Sequence, residues 1–288
     1  MSQTDVRRAR RFRVPEPTAS VRAGSGEPLL LIHPFMLSHD VWADVVPLLA
    51  DEYDVVAVTL PGHWGGPKLR RRDVGLRAFA DGVEELMDDL GWATCHIAGN
   101  SIGGWLSLEL ARRGRARTVT AIAPAGGWKR FSLTQFLVGL KFLMLVPMVL
   151  LGRLTGDLGA RLGFLQRLAL RVVVHRPGRV PGERAKNYVR AASNCSAFLP
   201  YMWADLRDGG MVADHLRDIK VPVQLVFCEL DWLLPPARCA PLYVDGLPDA
   251  MVVTLEGLGH VPSYEAPERV ADAIREHLHR NRRRSVAG

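Results

Sequence analysis

The sequence predicts an α/β fold: a mostly parallel, doubly wound sheet carrying an inserted helical block. Three observations lead there. Short, near-continuously apolar runs rich in β-branched residues alternate with longer helix-patterned segments, as expected of strands covered on both faces. The alternation stops after Val119–Ala123 and resumes only at Val223. The stretch between them, about Gly127 to Leu216, is almost wholly helical in pattern, too long for a structureless loop in a compact domain.

The strand candidates are Leu29–His33, Val55–Thr59, Cys95–Ala98, Val119–Ala123, Val223–Phe227 and Met251–Leu255. Val74–Leu90 and Trp105–Arg113 read as helices between them, and Pro267–His279 follows the last strand. Phe12–Val14 and Ala19–Ala23 are candidates for antiparallel edge strands. The expected division is therefore a core of residues 1–126 and 217–288 with a helical cap of residues 127–216. Within the cap, Phe131–Leu151 is long and apolar enough for a bilayer span. Lys141 at its centre and Pro147 interrupting it argue against one, since a charge at the midplane costs about 2.5–3.5 kcal/mol or more. A lone span would also put the two halves of the sheet on opposite sides of a membrane. The segment is expected to be a cap helix over the pocket, with transient lipid contact as the alternative.

The 288 residues can bury a sizeable core, and 48% hydrophobic with 23% charged residues excludes a disordered or fibrous chain. The net charge of +7 comes mainly from arginines, with runs at Arg7–Arg13, Arg70–Arg72 and Arg280–Arg284. No aromatic interleaving or nucleic-acid motif accompanies them, so they read as solvated surface rather than a nucleic-acid site. Cys95, Cys195, Cys228 and Cys239 show no metal-ligand spacing, and buried free thiols suit a reducing, cytoplasmic compartment. The basic N-terminus is followed by no apolar stretch of the secretory kind. No metal or cofactor is expected.

The chemistry concentrates in three places. Gly99-Asn100-Ser101-Ile102-Gly103 is G-x-S-x-G directly after an apolar strand and before a helix, the setting of a nucleophile elbow. A serine hydroxyl needs an adjacent base. Of nine histidines, only His260 combines a glycine-flanked loop, Gly257-Leu258-Gly259-His260, with the carboxyl edge of the sheet. His96 lies within a strand, His279 in the C-terminal helix, and His175 and His215 in the cap, whereas His33 and His63 suit turn-stabilising hydrogen bonds. A third group must hold the base in its tautomer. Asp231, after the strand Val223–Phe227, is the candidate, with Glu229 as competitor. An oxyanion hole needs two backbone N–H groups, expected from Ile102 and from Phe35, with Met36 as the alternative because Pro34 has no N–H.

Ala23-Gly24-Ser25-Gly26-Glu27-Pro28 running into Leu29–His33, then Leu60-Pro61-Gly62-His63, GNSIGG, ELDWLLP and GLGHVPSYEAPE together resemble the α/β-hydrolase superfamily, in its serine-nucleophile, esterase- and lipase-like branch with a helical cap. The resemblance covers nearly the whole chain apart from the cap and the tails. It implies an eight-stranded, mostly parallel sheet with a cap after the sixth strand, the triad Ser101, Asp231 and His260, and the donors Phe35 and Ile102. His33-Pro34 stands where the family usually has His-Gly, which stiffens the oxyanion loop. Trp64-Gly65-Gly66 replaces the common Gly-x-Ser and would place an indole near the pocket mouth. Haloalkane dehalogenases and epoxide hydrolases of the superfamily carry aspartate at the nucleophile position, so a serine there argues for acyl chemistry. The expected activity is hydrolysis of an apolar carboxylic ester or related acyl substrate. The alternatives are a carbon–carbon bond hydrolase for diketones, which needs a cap arginine such as Arg190 facing Ser101, and a non-catalytic binding protein on the same scaffold.

Overall fold

The computed structural model describes residues 18–69, 75–156, 161–208 and 216–287. Phe12–Val14, the arginine runs Arg7–Arg13 and Arg70–Arg72, and His215 lie outside them. Seven strands form one sheet: β1 (Ser20–Ala23), β2 (Glu27–Ile32), β3 (Tyr53–Val58), β4 (Cys95–Asn100), β5 (Ala116–Ile122), β6 (Val223–Cys228) and β7 (Met251–Leu255). Their order is β1-β3-β2-β4-β5-β6-β7. Only β1 runs antiparallel, against β3, and every other pairing is parallel. The edge strand expected at Ala19–Ala23 is β1; the described residues supply seven strands where the resemblance implied eight.

Nine helices accompany the sheet among the described residues: α1 (Val46–Leu49), α2 (Leu76–Asp89), α3 (Ile102–Arg112), α4 (Leu133–Thr155), α5 (Gly163–Leu170), α6 (Gly182–Asn194), α7 (Phe198–Asp208), α8 (Pro236–Gly246) and α9 (Pro267–Ala287). Alternate residues of each strand go to opposite faces, as a two-residue period requires. Leu30, Ile32, Val56, Val58, Leu225 and Phe227 join one core, with Phe79 and Val83 of α2, Leu106 and Leu110 of α3 and Tyr243 of α8. Leu29, Leu31, Val55, Ala57 and Val226 join the other, with Leu49 of α1 and Val270, Ile274 and Leu278 of α9. Both faces of the central strands are therefore dry. Each of these fully buried aliphatic side chains contributes about 1.5–3 kcal/mol over an exposed one.

Several boundaries differ from the sequence reading, each for a local reason. β3 begins at Tyr53 because Asp54 is paid off at the strand's edge by Arg22, whose Nε and Nη2 donate to its carboxylate at 2.8 and 2.5 Å. α3 begins at Ile102, immediately after Ser101, because the elbow turns straight into the helix. α4 runs through Pro147, which does not break it. That residue is on the exposed side of the helix, where the missing N–H removes one hydrogen bond without leaving a buried polar group. Ser132 caps α4, its hydroxyl accepting from Gln135 N at 3.3 Å. α9 continues past His279 through the arginines to Ala287.

α3 packs closely against β2. A Cβ at Gly103 would collide with the carbonyl of Ile32 and stand 2.9 Å from the oxygen of His33, both backbone atoms with no rotamer to yield. Gly103→Ala should therefore cost about 1–3 kcal/mol of stability, read as a lower denaturant midpoint at unchanged slope.

Candidate active site

The parallel register brings the ends of four strands to one level. Ile32 pairs with Gly99, Asn100 with Ile122, and Ile122 with Val226. The loops that follow β2, β4 and β6 therefore open side by side at the carboxyl edge of the sheet, where α/β ligand sites form. The loop after β7 joins them there: Leu230 N donates to Leu258 O at 3.0 Å.

Ser101 ends β4 in a strained turn, with φ 58° and ψ −116°. A non-glycine residue holds such a conformation at a cost of about 1–3 kcal/mol only where its surroundings over-determine it. They do so here: Ser101 N donates to Ile122 O at 2.8 Å, and Ser101 O accepts from Trp105 N at 3.1 Å and Ala125 N at 3.0 Å. The hydroxyl is buried at the N-terminus of α3, and Ile102 is the first residue of that helix, where an N–H has no intrahelical acceptor.

His260 and Asp231 meet. His260 Nδ1 donates to Asp231 Oδ2 at 2.7 Å, both side chains being almost fully buried. The other carboxylate oxygen, Oδ1, accepts from Leu234 N at 2.8 Å, which fixes the carboxylate's rotation. With its Nδ1 proton committed to the carboxylate, His260 presents Nε2 as an acceptor, and that atom is buried with no protein hydrogen-bond partner. Ser101 and His260 line one cavity together with Phe35, Met36, Phe142 and Leu145. The competitor Glu229 is turned away: it is exposed, and its carboxylate accepts from Gly257 N at 2.8 Å.

Phe35 and Ile102 also line a second, adjoining cavity at Ser101, with Trp128, Gln135, Val138, Phe142, Tyr201 and Leu234. Phe35 sits in a turn closed by Leu37 N to Pro34 O at 3.2 Å, with Met36 left-handed at φ 66°. Among the described residues lining the two cavities no side chain is a Lys, Arg, Asp or Glu. Trp64, expected near the mouth, is half-buried and lines neither cavity, and Arg190 is likewise absent from both walls. Arg190 lies buried on α6, with Nη1 donating to Asn187 at 3.3 Å. A larger, more open cavity lies at the amino ends of β6 and β7, lined by Lys220, Pro222, Asp249 and Arg280 among others. It is at the far edge of the sheet from Ser101 and contains no nucleophile–base pair. Among the described residues no group of His, Cys, Asp and Glu is arranged to hold a metal.

Three supports of the site were not read from the sequence. Asn100 Nδ2 donates to Ile122 O and to His260 O, both at 3.1 Å, and so ties the histidine's backbone to the elbow. Glu265 accepts from Gly259 N at 2.8 Å, His175 N at 3.0 Å and Arg176 N at 2.8 Å, joining the His260 loop to the inserted helices. Lys141 of α4 reaches the Asp231 loop, with Nζ donating to Trp232 O at 2.5 Å and Leu233 O at 3.1 Å and lying 4.6 Å from the Trp232 ring. Burial lowers its pKa. The only sequence signal was a lysine alone in an apolar helix.

Two further histidines brace the oxyanion side. His33 Nδ1 donates to Pro34 O at 2.7 Å and its Nε2 accepts from Leu60 N at 2.9 Å, so this ring is neutral. His63 packs edge-on against it at 4.9 Å, and against Phe35 at 5.4 Å. Burial lowers the pKa of both, that of His63 to about 4.

A model of the alpha/beta hydrolase family matches residues 29–273. The chain is 40% identical over 197 residues to the epoxide hydrolase EphH of Mycobacterium tuberculosis, covering 68% of this chain and 91% of that protein. It is 29% identical over 267 residues to a pimeloyl-[acyl-carrier protein] methyl ester esterase of Aeromonas hydrophila, covering 89% and 97%. Among solved structures, a bacterial membrane phospholipase A superposes with a TM-score of 0.72 at 25% identity, over 91% of this chain and 82% of that one.

Two measurements follow from this geometry. Asn100→Ala takes the side-chain donor from the buried His260 carbonyl, while Ile122 O keeps Ser101 N, and should lower stability by about 1–3 kcal/mol, with reduced hydrolytic turnover in the protein that remains folded. Because the folded pKa of His63 lies near 4 and its ordinary value is 6.5, the unfolded chain binds the extra proton first. The stability from keeping this ring neutral is fully present above pH 6.5 and is lost as pH falls towards 4, by about 3 kcal/mol. Urea midpoints across that range should fall with acid, and less steeply in His63→Gln.

Proposed function

As the chain belongs to the alpha/beta hydrolase family and is a hydrolase, we propose that it cleaves carboxylic esters of apolar acyl groups through an acyl-enzyme on Ser101. The observation that carries this reading is the buried Asp231–His260 pair at 2.7 Å whose free Nε2 shares an uncharged cavity with the Ser101 hydroxyl. His260 would take the hydroxyl proton as Ser101 Oγ attacks the carbonyl carbon, while Asp231 holds the ring in its tautomer and stabilises the imidazolium. The N–H groups of Ile102 and Phe35 would receive the developing oxyanion, aided by the α3 dipole. His260 would then protonate the leaving alkoxide and activate water to release the acid and restore Ser101.

The likeness to an epoxide hydrolase supports a second reading, and the nucleophile weighs against it. An epoxide carbon attacked by serine would leave an ether, which has no carbonyl for water to enter. A carboxylate nucleophile leaves an ester, which does. The cavity walls also disfavour a charged dienoate diketone, because no cation lines them among the described residues. The four buried, unpaired cysteines support a reducing, cytoplasmic setting. Burial pushes the Cys95 and Cys239 thiols up to about 12, which leaves them inert as nucleophiles.

Nitrophenyl esters of graded chain length, assayed beside an aryl epoxide and a ring-cleavage diketone, separate these readings. Ester turnover should dominate and fall by about 10⁴-fold or more in Ser101→Ala. Faster turnover of the epoxide or the diketone would replace the proposal. Absence of both turnover and fluorophosphonate labelling would make the protein a non-catalytic binder.

A further inference from the structure

α4 is apolar on two opposite faces. Its inner face, Val138, Phe142, Leu145 and Val149, is spaced at helical intervals; Val138, Leu145 and Val149 are buried, and Phe142 packs against the same core. Its outer face begins with Leu133, Phe136, Leu140, Leu143 and Met144 and continues past Pro147 through Leu150, Leu151 and Leu154. These positions repeat at three and four residues, form one stripe about 30 Å long, and lie open to solvent, Leu154 at 85% and Phe136 and Leu133 at 67%. A helix on the surface of a soluble domain ordinarily carries polar residues there. A stripe this large marks an interaction surface. Phe131, 78% exposed, extends it at the amino end, and Phe164 and Leu168 repeat the pattern on α5, which packs with α4 against α6.

Charge identifies the occupant. Across residues 127–216 the chain holds thirteen Lys and Arg and five acidic residues, Asp157, Glu183, Asp205, Asp208 and Asp214. Lys129, Arg130, Arg161, Arg167 and Arg171 are exposed and bracket the stripe along the chain. The two charges within its span are engaged, Lys141 with the Asp231 loop and Arg153 with the carbonyls of Ser193 and Cys195. A second copy of the chain docked stripe to stripe would set these cations against their own kind. An anionic lipid leaflet complements both features, apolar chains for the stripe and headgroups for the cations. Spanning is excluded by connectivity: β5 and β6, the strands on either side of the insertion, are hydrogen-bonded neighbours. Among the described residues α4 is the only helix long and apolar enough to cross, so one crossing would have no return.

We propose that the outer face of α4 is a docking surface for an anionic lipid leaflet, on which the helix lies flat. The docking does not depend on the chemistry at Ser101. If the ester reading holds, the same helix walls the cavity through Gln135, Val138 and Phe142, so the seated protein would draw acyl substrates from the bilayer.

The test is flotation of the full-length Ser101→Ala protein, which cannot turn over lipid, with phosphatidylcholine vesicles with and without phosphatidylglycerol. The protein should partition onto the anionic vesicles, and high salt should weaken that. Leu143→Asp with Leu150→Asp should cut partition more than about tenfold at an unchanged melting temperature. Lys129→Glu and Arg167→Glu should each cut it about fivefold, and these carry the test should the aspartates unfold the protein. No partition, equal partition onto neutral vesicles, or a wild-type dimer that the two aspartates convert to monomer would overturn the proposal, the last by making a second copy the occupant.

Discussion

A parallel sheet buried on both faces can show solvent only its two ends, and that constraint organises this molecule. β2, β4, β5 and β6 lie under two cores, so a polar group meant to meet a ligand has to sit at their ends or in the connections. Because the four strands run the same way in close register, the loops leaving their carboxyl ends open beside one another. Residues as distant in the chain as Ser101 and His260 share a cavity for that reason, and no local signal would have brought them together.

Within this frame, rigidity comes from polar groups that serve the backbone. The elbow at Ser101 holds an unfavourable φ because three hydrogen bonds to Ile122, Trp105 and Ala125 leave it no alternative. Asn100, one residue earlier, extends the same device to His260 by spanning two carbonyls. Asp231 is held at both oxygens, one by His260 and one by Leu234 N. A carboxylate removed from water is stable only when its oxygens are met in this way, whereas His260 keeps Nε2 open towards the cavity.

The inserted helices are bound to the site rather than laid over it. Lys141 holds the Asp231 loop from above, Glu265 clasps the loop before α6, and Val261 N donates to Val173 O at 2.8 Å. Arg184 of α6 reaches down to Asp40 and Asp44 at 2.9 and 2.8 Å. The inner face of the insertion can therefore set the shape of the cavity at Ser101, while its outer face is free to meet something other than this chain.

The sequence alone determined the fold class, the position of the insertion and the residues worth watching, because those depend on local pattern. Runs such as Leu29–Ile32 are apolar at every position only if both faces are covered, and Gly99 to Gly104 is small wherever strand and helix must nearly touch. What stands across from what was decided by tertiary structure. Glu229 and Asp231 are two residues apart and both acidic, yet only the packed loop turns one towards His260 and the other towards Gly257. Lys141 read as a charge misplaced in grease until the fold put two carbonyls and an indole beside it. The two faces of α4 carry the same side-chain types, so only their surroundings make one a core and the other a surface. Composition records how much apolar area a helix has; packing decides which part of it is hidden.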